Sequence, residues 1–517
     1  MPAACGKISV LVLTHACSRL SVFESEFLSN SPESIESYAR ALSRAVETLT
    51  HSWPARPYSG RTAAELAPLI DSDFLPEHGC SPDGVSGILR SIIANSVAVT
   101  HPNTAAHLHC PPLIASLAAE VVISGLNQSM DSFDQAPIAT ILEQKLVRWI
   151  CVEAGLPQSA DGTFTTGGSQ SNYMGLLLAR DHFLGSRWNW SAQTSGLPPE
   201  AQKLRILCSE VAHFTVEKSA AQLGLGTKSV VRIPVDERFR MDPAAARATI
   251  EALKARGLDA MAIVATAGTT DFGSIDPLPE LAALAREVGC WLHVDAAYGG
   301  ALLFSREHRS RLAGIEAADS MSIDFHKLLW QPIPCSVFLL RDARHFDAIK
   351  MHADYLNPEA HEEENIPNLV TRSLLTSRRF DALKLWISFQ SLGRVKLAAM
   401  IDRTIALAEY GATVLHRTPG FEVIAPPQLS TIVFRFAPED SNADLDWLNA
   451  RLRQKLFDQG TAVVGHSRIG NRQCLKFTCM NPAASEEQIE ELIRVTAEEG
   501  KKLLFIEDKA IRDQKEP

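Results

Sequence analysis

The middle of the chain alternates between short apolar runs and stretches with helical periodicity. Residues 205–208, 261–266, 290–295 and 335–340 are apolar runs of strand length. Between the second and third runs, residues 277–289 place Leu278, Leu281 and Leu284 at helical spacing, which gives a strand–helix–strand unit. This alternation predicts an α/β domain with a mostly parallel sheet, whose ligand site lies at the carboxyl ends of the strands.

The patterning divides the chain into three parts. At 517 residues the chain is long enough for one large domain and smaller ones. The N-terminal part is weakly patterned, and the stretch after residue 400 has an α+β rhythm that includes TIVFRF and QCLKFTCM. We therefore expect an N-terminal segment over residues 1–95, a large domain over 96–400 and a small α+β domain over 401–517.

Charge and cysteine usage favour a small-molecule partner. The formal charge is −10 and no long block of Lys and Arg occurs, so neither nucleic acid nor a membrane is an expected partner. The ten cysteines are scattered without a CxxC pair, which is typical of reduced thiols in a cytosolic protein. The apolar run at residues 8–13 is too short for a signal core or a membrane span. We therefore expect a cytoplasmic location.

A carboxylate and a lysine follow two of the predicted strands. Asp295 ends the run at 290–295, and Lys327 follows the apolar run MSIDF. Because a lysine is almost never fully buried without a partner, Lys327 is expected to be bonded to another group. At the same edge of the sheet the two residues would form either a structural ion pair or part of a binding site.

The stretch TFTTGGSQSNYMGLLLAR predicts an anion site. Glycines allow close approach of the backbone, and the start of a helix offers free N–H groups and a favourable dipole. Ser169 adds a hydroxyl, so phosphate is the natural guest. An ordinary loop with a helix cap has the same pattern, and neither GxxxxGK[ST] nor GxGxxG is present here.

His213 follows the run at 205–208 and precedes a helix. A histidine at this place is often structural, but its ring could also stack on a planar cofactor.

Four motifs in order, GGSQSN, SEVAHF, HVDAAYGG and FHK, resemble those of the group II decarboxylases that use pyridoxal 5′-phosphate. The resemblance covers roughly residues 95–480. Within that family, residues 101–137 and 164–181 together are most similar to bacterial L-2,4-diaminobutyrate decarboxylases. The resemblance to the family implies a fold-type-I, aminotransferase-like large domain with a mostly parallel seven-stranded sheet. It also implies an N-terminal helical segment that wraps a partner and a small α+β C-terminal domain.

The resemblance also implies roles around the cofactor. Lys327 would bind it covalently through its amine, and Asp295 would pair with the pyridine nitrogen. His213 would stack on the ring as a catalytic residue, and Ala297 would pack beneath it. The remaining cofactor-binding residues implied are Gly168, Ser169, Thr269 and His326. Asp324 stands where several relatives have Asn, and we expect it to be structural.

The resemblance and the charge pattern give three candidate residues for the substrate side of the pocket. In the family, the segment that contains His109 lines the substrate side of the pocket. Asp131 and Asp134 could bind a distal ammonium group, although a solvated loop or a helix cap would give the same pattern. The cluster of His101, His107, His109 and Cys110 lacks a zinc spacing, so no metal site is expected.

Residues 350–386 begin with little periodicity, which predicts either a functional loop or a plain solvated one. Tyr355 matches the position of a mobile-loop tyrosine in the family, whose phenol donates a proton after carbon dioxide has left. The resemblance therefore implies that Tyr355 is a catalytic acid.

The implied reaction is decarboxylation of an amino acid, with L-2,4-diaminobutyrate giving 1,3-diaminopropane and carbon dioxide for siderophore or polyamine synthesis. The alternative is decarboxylation of an aromatic, glutamate-like or lysine-like amino acid. A reaction of the same cofactor other than decarboxylation ranks after it. A non-enzymatic α/β binding protein has no need for both Lys327 and Asp295. The family further implies a homodimer with shared active sites.

Overall fold

The computed structural model describes residues 23–70, 74–439 and 443–513, which fall into two units. The first unit contains the described residues up to Trp53 and those from 74 to Ala94; the second contains Pro54–Ile70 and the described residues from Asn95 onward. The apolar run at residues 8–13 lies outside the described residues. No helix in the described part of the chain combines the length and apolar character that a membrane span needs.

The described residues form the following strands and helices. The strands are β1 (Thr104–Ala105), β2 (Asp161–Thr165), β3 (Leu204–Ser209), β4 (Val230–Ile233), β5 (Asp259–Thr266), β6 (Trp291–Asp295), β7 (Ser320–Asp324), β8 (Ser336–Leu340), β9 (Phe421–Ala425), β10 (Thr431–Phe436), β11 (Val463–Ile469) and β12 (Arg472–Thr478). The helices are α1 (Pro32–His51), α2 (Ala63–Leu66), α3 (Pro82–Ala94), α4 (Ile114–Leu126), α5 (Pro137–Glu153), α6 (Gly168–Trp188), α7 (Ala192–Ser195), α8 (Thr215–Gln222), α9 (Pro243–Ala255), α10 (Leu278–Val288), α11 (Ala360–Glu363), α12 (Ala382–Arg417), α13 (Leu445–Asp458) and α14 (Glu486–Asp513).

The first unit is a pair of helices, α1 and α3, that contact each other. The side chain of Ser31 accepts a hydrogen bond from the N–H of Ser34, and Pro32 occupies the first helical position, so the start of α1 is well capped. Apolar side chains of both helices, among them Val46 and Ile88, are about half exposed.

The larger sheet of the second unit has seven strands in the order β2-β8-β7-β6-β5-β3-β4. Neighbouring strands are parallel except that β8 runs antiparallel to both β2 and β7. The predicted mostly parallel seven-stranded sheet is therefore confirmed. Strands buried on both faces are largely apolar, and the residues of β5, β6, β7 and β8 are almost all buried.

The helix predicted over residues 277–289 is α10. Its apolar stripe, with Leu278, Leu281 and Leu284, is buried against β5 and β6. Gly289 ends the helix in the left-handed conformation, with φ of 72°, as expected for a glycine in that position.

A second sheet of five strands has the order β1-β11-β12-β10-β9. Strand β1 is parallel to β11, and the other pairs are antiparallel. Helix α13 packs on β11 and β12, and α12, which passes through residue 400, contacts α4 and α5 as well as β9 and β10 of this sheet. Helix α12 is broken at Gly393, whose φ of 66° and ψ of 166° are not helical.

The carboxyl ends of β2, β3, β5, β6 and β7 lie at one edge of the larger sheet because these strands share one direction. The residues that follow these strands contain the motifs GGSQSN, SEVAHF, HVDAAYGG and FHK. The fold thus brings segments distant in sequence to one place.

Candidate active site

A cavity of about 330 Å³ opens at this edge of the sheet. Seven of the predicted site residues line it, namely Gly168, Ser169, His213, Asp295, Ala297, His326 and Lys327. The other lining residues are Thr166, Gly167, Gln170, Asn172, Thr266, Gly268, Thr270, Tyr298 and Asp324. The cavity therefore combines a glycine-rich helix start, two carboxylates, two imidazoles and one primary amine.

Asp295 is the buried carboxylate at the end of β6. Its Oδ2 accepts a hydrogen bond from Nδ2 of Asn172 at 2.7 Å, and its Oδ1 accepts from the N–H of Ala297 at 3.1 Å and from Ser322 Oγ at 3.2 Å. Burial acts to raise the pKa of Asp295, but the charge of Lys327 and the bond from Asn172 outweigh it and lower the pKa. The site thus holds a buried, ionised carboxylate among polar partners.

Lys327 is paired with a carboxylate, as expected for a lysine that is mostly buried. Its Nζ lies 3.1 Å from Oδ2 of Asp324, and the Oδ1 of Asp324 accepts a hydrogen bond from Ser336 Oγ at 2.7 Å. Asp324 therefore does more than support the local backbone, because its carboxylate lines the cavity and holds the lysine amine.

The first turn of α6 forms a cradle for an anion. Gly167 has φ of 152° and ψ of 167°, a conformation that needs a glycine. A Cβ added at Gly168 would lie 3.1 Å from the Cβ of Ala297 and 3.2 Å from Oδ2 of Asp324, so only a glycine leaves this turn open. The first N–H groups of a helix have no partner within the helix and favour a negative ligand.

His326 is packed beside this cradle. Its Nδ1 donates to the carbonyl of Cys335 at 2.9 Å, and its Nε2 lies 3.6 Å from Asp324 Oδ2. Burial lowers the pKa of His326, although Asp324 opposes that shift.

His213 occupies the loop between β3 and α8. Its Nδ1 lies 2.8 Å from the hydroxyl of Thr215, at the first position of α8. Burial lowers the pKa of His213, while the charge of Asp295 raises it. The imidazole is therefore neutral near pH 7 and is fixed at one ring nitrogen.

Five predicted site residues do not line this cavity. Thr269 is buried behind it with its hydroxyl 2.6 Å from that of Ser274, although its neighbours Gly268 and Thr270 are lining residues. Tyr355 is 89% exposed, and His109 and Asp134 are also exposed. Asp131 is buried next to the loop that contains Tyr355, and its carbonyl accepts from the N–H of Val370.

The sequence interpretation missed Asn172, which bonds directly to Asp295. The residue lies inside the quoted motif GGSQSN, where a polar side chain on the buried face of a helix could have identified it. It also missed His293, two residues before Asp295 on the same face of β6.

The comparisons with known proteins agree with this geometry. The pyridoxal-dependent decarboxylase conserved domain matches residues 65–437. The L-2,4-diaminobutyrate decarboxylase of Acinetobacter baumannii is 39% identical over 92% of this chain and 95% of the relative, and that of Rhizobium meliloti (strain 1021) is 39% identical over 92% and 94%.

A crystal structure from Vibrio parahaemolyticus has the same fold. It is described as the glutamate decarboxylase domain of diaminobutyrate-pyruvate transaminase and L-2,4-diaminobutyrate decarboxylase. Its TM-score is 0.86 and its identity 38%, over 93% of this chain and 99% of the Vibrio chain. Because the family's conserved domain matches most of the chain and spans the whole cavity, the protein belongs to the pyridoxal-dependent decarboxylase family.

Proposed function

We propose that the protein removes the α-carboxyl group of L-2,4-diaminobutyrate and releases 1,3-diaminopropane and carbon dioxide. The observation that carries this proposal is the presence of Lys327 and Asp295 in one cavity at the carboxyl ends of the strands of a pyridoxal-dependent decarboxylase. The substrate is proposed from two relatives that are 39% identical and are named for it.

The residues of the cavity fit pyridoxal 5′-phosphate. A Cβ at Gly168 would crowd Ala297 and Asp324, the free N–H groups at the start of α6 suit a phosphate group, and the cavity also supplies an amine and a buried carboxylate. When bound, the cofactor supplies an electron sink for the electron pair of the bond to the departing carboxylate.

Lys327 is the residue we propose to bind the cofactor covalently. Its amine is now paired with Asp324, a partner that orients the side chain within the cavity. Asp295 would bond to the pyridine nitrogen and keep a proton there, and its lowered pKa makes it an anion suited to that task.

The remaining cavity residues would hold the other parts of the cofactor. Gly168, Ser169 and His326 lie at or beside the cradle and would bind the phosphate. His213 would pack against one face of the ring as a neutral imidazole, with Ala297 on the other face. Thr269 would act only through the backbone of its loop, because its hydroxyl is bonded to Ser274.

Tyr355 is proposed to donate a proton to the α-carbon after carbon dioxide has left. The loop around it is tied together by Asn357, whose amide donates to the carbonyl of Met351, and by an ion pair of Lys350 with Glu362. Because the phenol is exposed, it reaches a reacting carbon only if the loop moves or if a second chain presents it.

We also propose a homodimer with shared active sites, in which a second chain could present Tyr355. Both α4 and α5 carry exposed apolar side chains, including Ile114, Val122 and Ile138, and such side chains are suited to contact with a second copy of this chain. We propose that residues 1–95 wrap the partner, that residues 96–400 and 401–517 act as large and small domains, and that each chain contributes to its partner's cavity.

The distal ammonium of the substrate is proposed to meet the acidic pair of Asp131 and Asp134, with His109 nearby on the substrate side. Asp131 is buried and its carboxylate accepts a hydrogen bond from the N–H of Ser132. In a dimer this pair would serve the cavity of the partner, since it does not line the cavity of its own chain.

The acidic pair can be tested with two substrates. L-2-aminobutyrate has the same carbon chain as L-2,4-diaminobutyrate but lacks the distal ammonium. Asp131→Asn should lower kcat/KM for the diamino acid by on the order of tenfold and leave the value for L-2-aminobutyrate unchanged. An equal loss for both substrates would contradict this role.

The protein is proposed to work in the cytoplasm, where 1,3-diaminopropane would be available for siderophore or polyamine synthesis. All eight cysteines that the structure describes are free thiols, and burial raises the pKa of Cys208 and Cys290 to about 12. Such thiols suit a reducing compartment.

The experiment that tests the proposed reaction is a panel of amino acids with the purified protein and pyridoxal 5′-phosphate. L-2,4-diaminobutyrate, glutamate, lysine and an aromatic amino acid are compared by measuring carbon dioxide and amine. We expect 1,3-diaminopropane and carbon dioxide in equal amounts. If diaminobutyrate is inert and another amino acid reacts, the proposed substrate is wrong while the family assignment stands.

A further inference from the structure

Buried polar side chains from three elements form a continuous hydrogen-bonded chain that ends on Asp295. The residues are Trp291, His293, Ser320, Ser322 and Asn172, and all are buried. In the register of β6 and β7, His293 lies opposite Ser320 and Asp295 lies opposite Ser322, so the four side chains share one face of the sheet. Helix α6 covers that face and presents Asn172 to it.

The contacts are short and unbroken. The indole Nε1 of Trp291 donates to Ser320 Oγ at 2.8 Å, and Ser320 Oγ lies 2.8 Å from Nδ1 of His293. On its other side, Nε2 of His293 lies 2.9 Å from Oδ1 of Asn172, whose Nδ2 donates to Oδ2 of Asp295 at 2.7 Å.

The direction of every hydrogen bond in this series follows from the two residues at its ends, Asp295 and Trp291. The carboxylate of Asp295 can only accept, so the amide nitrogen of Asn172 faces it and the amide oxygen faces His293. His293 must therefore carry its proton on Nε2. The indole of Trp291 can only donate, which leaves the hydroxyl of Ser320 to donate to Nδ1 of His293.

Asn172 joins Asp295 to a second cavity residue. Its Nδ2 also lies 3.0 Å from Oγ1 of Thr215, and that hydroxyl lies 2.8 Å from Nδ1 of His213. Its Oδ1 also lies 3.0 Å from Ser322 Oγ, whose single proton is shared between this oxygen and Oδ1 of Asp295. The amide group of Asn172 is thus fully bonded and cannot rotate without breaking several contacts.

Helix α6 leaves room for the imidazole through Gly175, one turn after Asn172. A Cβ at Gly175 would lie 2.4 Å from Nδ1 of His293, which is closer than any real contact. Asn172 and Gly175 therefore act together, since one bonds to the histidine and the other accommodates it.

We infer that Asn172 and His293 are positioning residues that hold the carboxylate of Asp295 in the orientation in which it binds the cofactor. The inference rests on the role proposed above for Asp295. Trp291 and Ser320 fix the ring of His293, His293 and Ser322 fix the amide of Asn172, and the amide fixes the carboxylate. Residues that hydrogen-bond to a metal-binding side chain commonly change metal affinity by about tenfold or more when they are removed, and we expect a similar effect on cofactor affinity here.

The test is the affinity of the full-length protein for pyridoxal 5′-phosphate, after the bound cofactor has been removed and is added back. Asn172→Leu should raise the dissociation constant by about tenfold, measured by protein fluorescence and visible absorbance. The matched control is Asn449→Leu, at a fully buried asparagine that bonds to the backbone of Phe436 in the five-stranded sheet. Both variants should melt at a lower temperature, but only Asn172→Leu should bind the cofactor more weakly.

A second pair of variants keeps the inference testable if Asn172→Leu does not fold. His293→Leu removes the donor to Asn172 and should weaken cofactor binding. His293→Gln has an amide N–H that can replace that donor and should restore binding toward the wild-type value. If His293→Gln and His293→Leu bind the cofactor equally well, the inference is wrong.

Two further measurements separate this inference from the proposed function. A wild-type protein that binds no pyridoxal 5′-phosphate would contradict the proposed function itself, and Asp295→Asn with wild-type affinity would contradict the role of Asp295. If both of these behave as proposed while Asn172→Leu binds the cofactor like the wild type, the positioning role alone is overturned.

Discussion

Two neighbouring buried groups on β6, His293 and Asp295, have ionisation states set by their surroundings. Burial lowers the pKa of His293 from 6.5 to about 4, although the charge of Asp295 opposes the shift. At Asp295 burial acts to raise the pKa, but Lys327 and the bond from Asn172 reverse the direction. A neutral histidine and an ionised aspartate therefore stand side by side at neutral pH, as the direction of the hydrogen bonds requires.

The lowered pKa of His293 predicts how stability depends on pH. The unfolded chain takes up a proton at this residue below pH 6.5, whereas the folded chain does so only near pH 4. The contribution of His293 to stability is thus complete above pH 6.5 and is lost as the pH falls toward 4.

The variant His293→Gln has no ionisable group at this position, so it cannot show this loss of stability at low pH. The free energy of unfolding of the wild type relative to the variant should fall by on the order of 2 kcal/mol between neutral pH and about pH 4.5. Calorimetry of both cofactor-free proteins at the two pH values measures it, and a constant difference would contradict a neutral, buried His293.

At the scale of secondary structure, the start of α6 is the element that we expect to bind the phosphate. In Gly168→Ala the added Cβ would crowd Ala297 and Asp324, so the affinity for pyridoxal 5′-phosphate should fall by about tenfold or more. Gly185→Ala, on the exposed side of the same helix and with open space around the new Cβ, is the matched control. It should gain about 0.5 to 1 kcal/mol of stability and bind the cofactor normally. Equal cofactor affinity in the two variants would argue against the phosphate cradle.

The loop around Tyr355 carries the next prediction. Tyr355→Phe should bind cofactor and substrate normally but release far less 1,3-diaminopropane per carbon dioxide, because it lacks the phenol that we propose protonates the α-carbon after carbon dioxide has left. Oxidation or transamination products should appear in its place. Met351→Leu, at another exposed residue of the loop, should keep the wild-type ratio. A normal amine yield from Tyr355→Phe would show that the loop around Tyr355 is an ordinary surface loop without a catalytic role.

The elements that the sequence predicted are those whose pattern is local. The strands at 204–209, 259–266, 291–295 and 336–340 and helix α10 follow from apolar runs and helical spacing. The two-residue strand β1 has no such pattern, because it exists only through its pairing with β11. Asn172 and His293 were missed for a similar reason, since what distinguishes them is a partner more than one hundred residues away.

At the scale of the whole molecule, the exposed apolar surface of α4 and α5 predicts a dimer. Ile114 is 85% exposed and Ile138 is 72% exposed, so a charge at either position should cost little in an isolated chain. Ile114→Glu should therefore fold but dissociate to monomers with weaker cofactor binding. Ile506→Glu, at a residue of α14 that is 56% exposed, is the control and should stay dimeric.

Sedimentation of both variants and of the wild type measures this prediction. Removal of residues 1–90 should also abolish the dimer, because these residues are proposed to wrap the partner. A soluble, active monomer without residues 1–90 would contradict that proposal, and dimeric Ile114→Glu would exclude α4 from the interface.

The central claim is that Lys327 binds pyridoxal 5′-phosphate in the cavity that Asp295 also lines. The most direct measurement is reduction of the purified, cofactor-loaded protein with borohydride, followed by digestion and mass spectrometry of the peptides. We predict that the yellow colour is bleached and that the reduced cofactor is attached to Lys327 alone, with no attachment in Lys327→Ala. A protein that stays colourless when it is mixed with the cofactor, or a label on a lysine outside the cavity, would contradict the account.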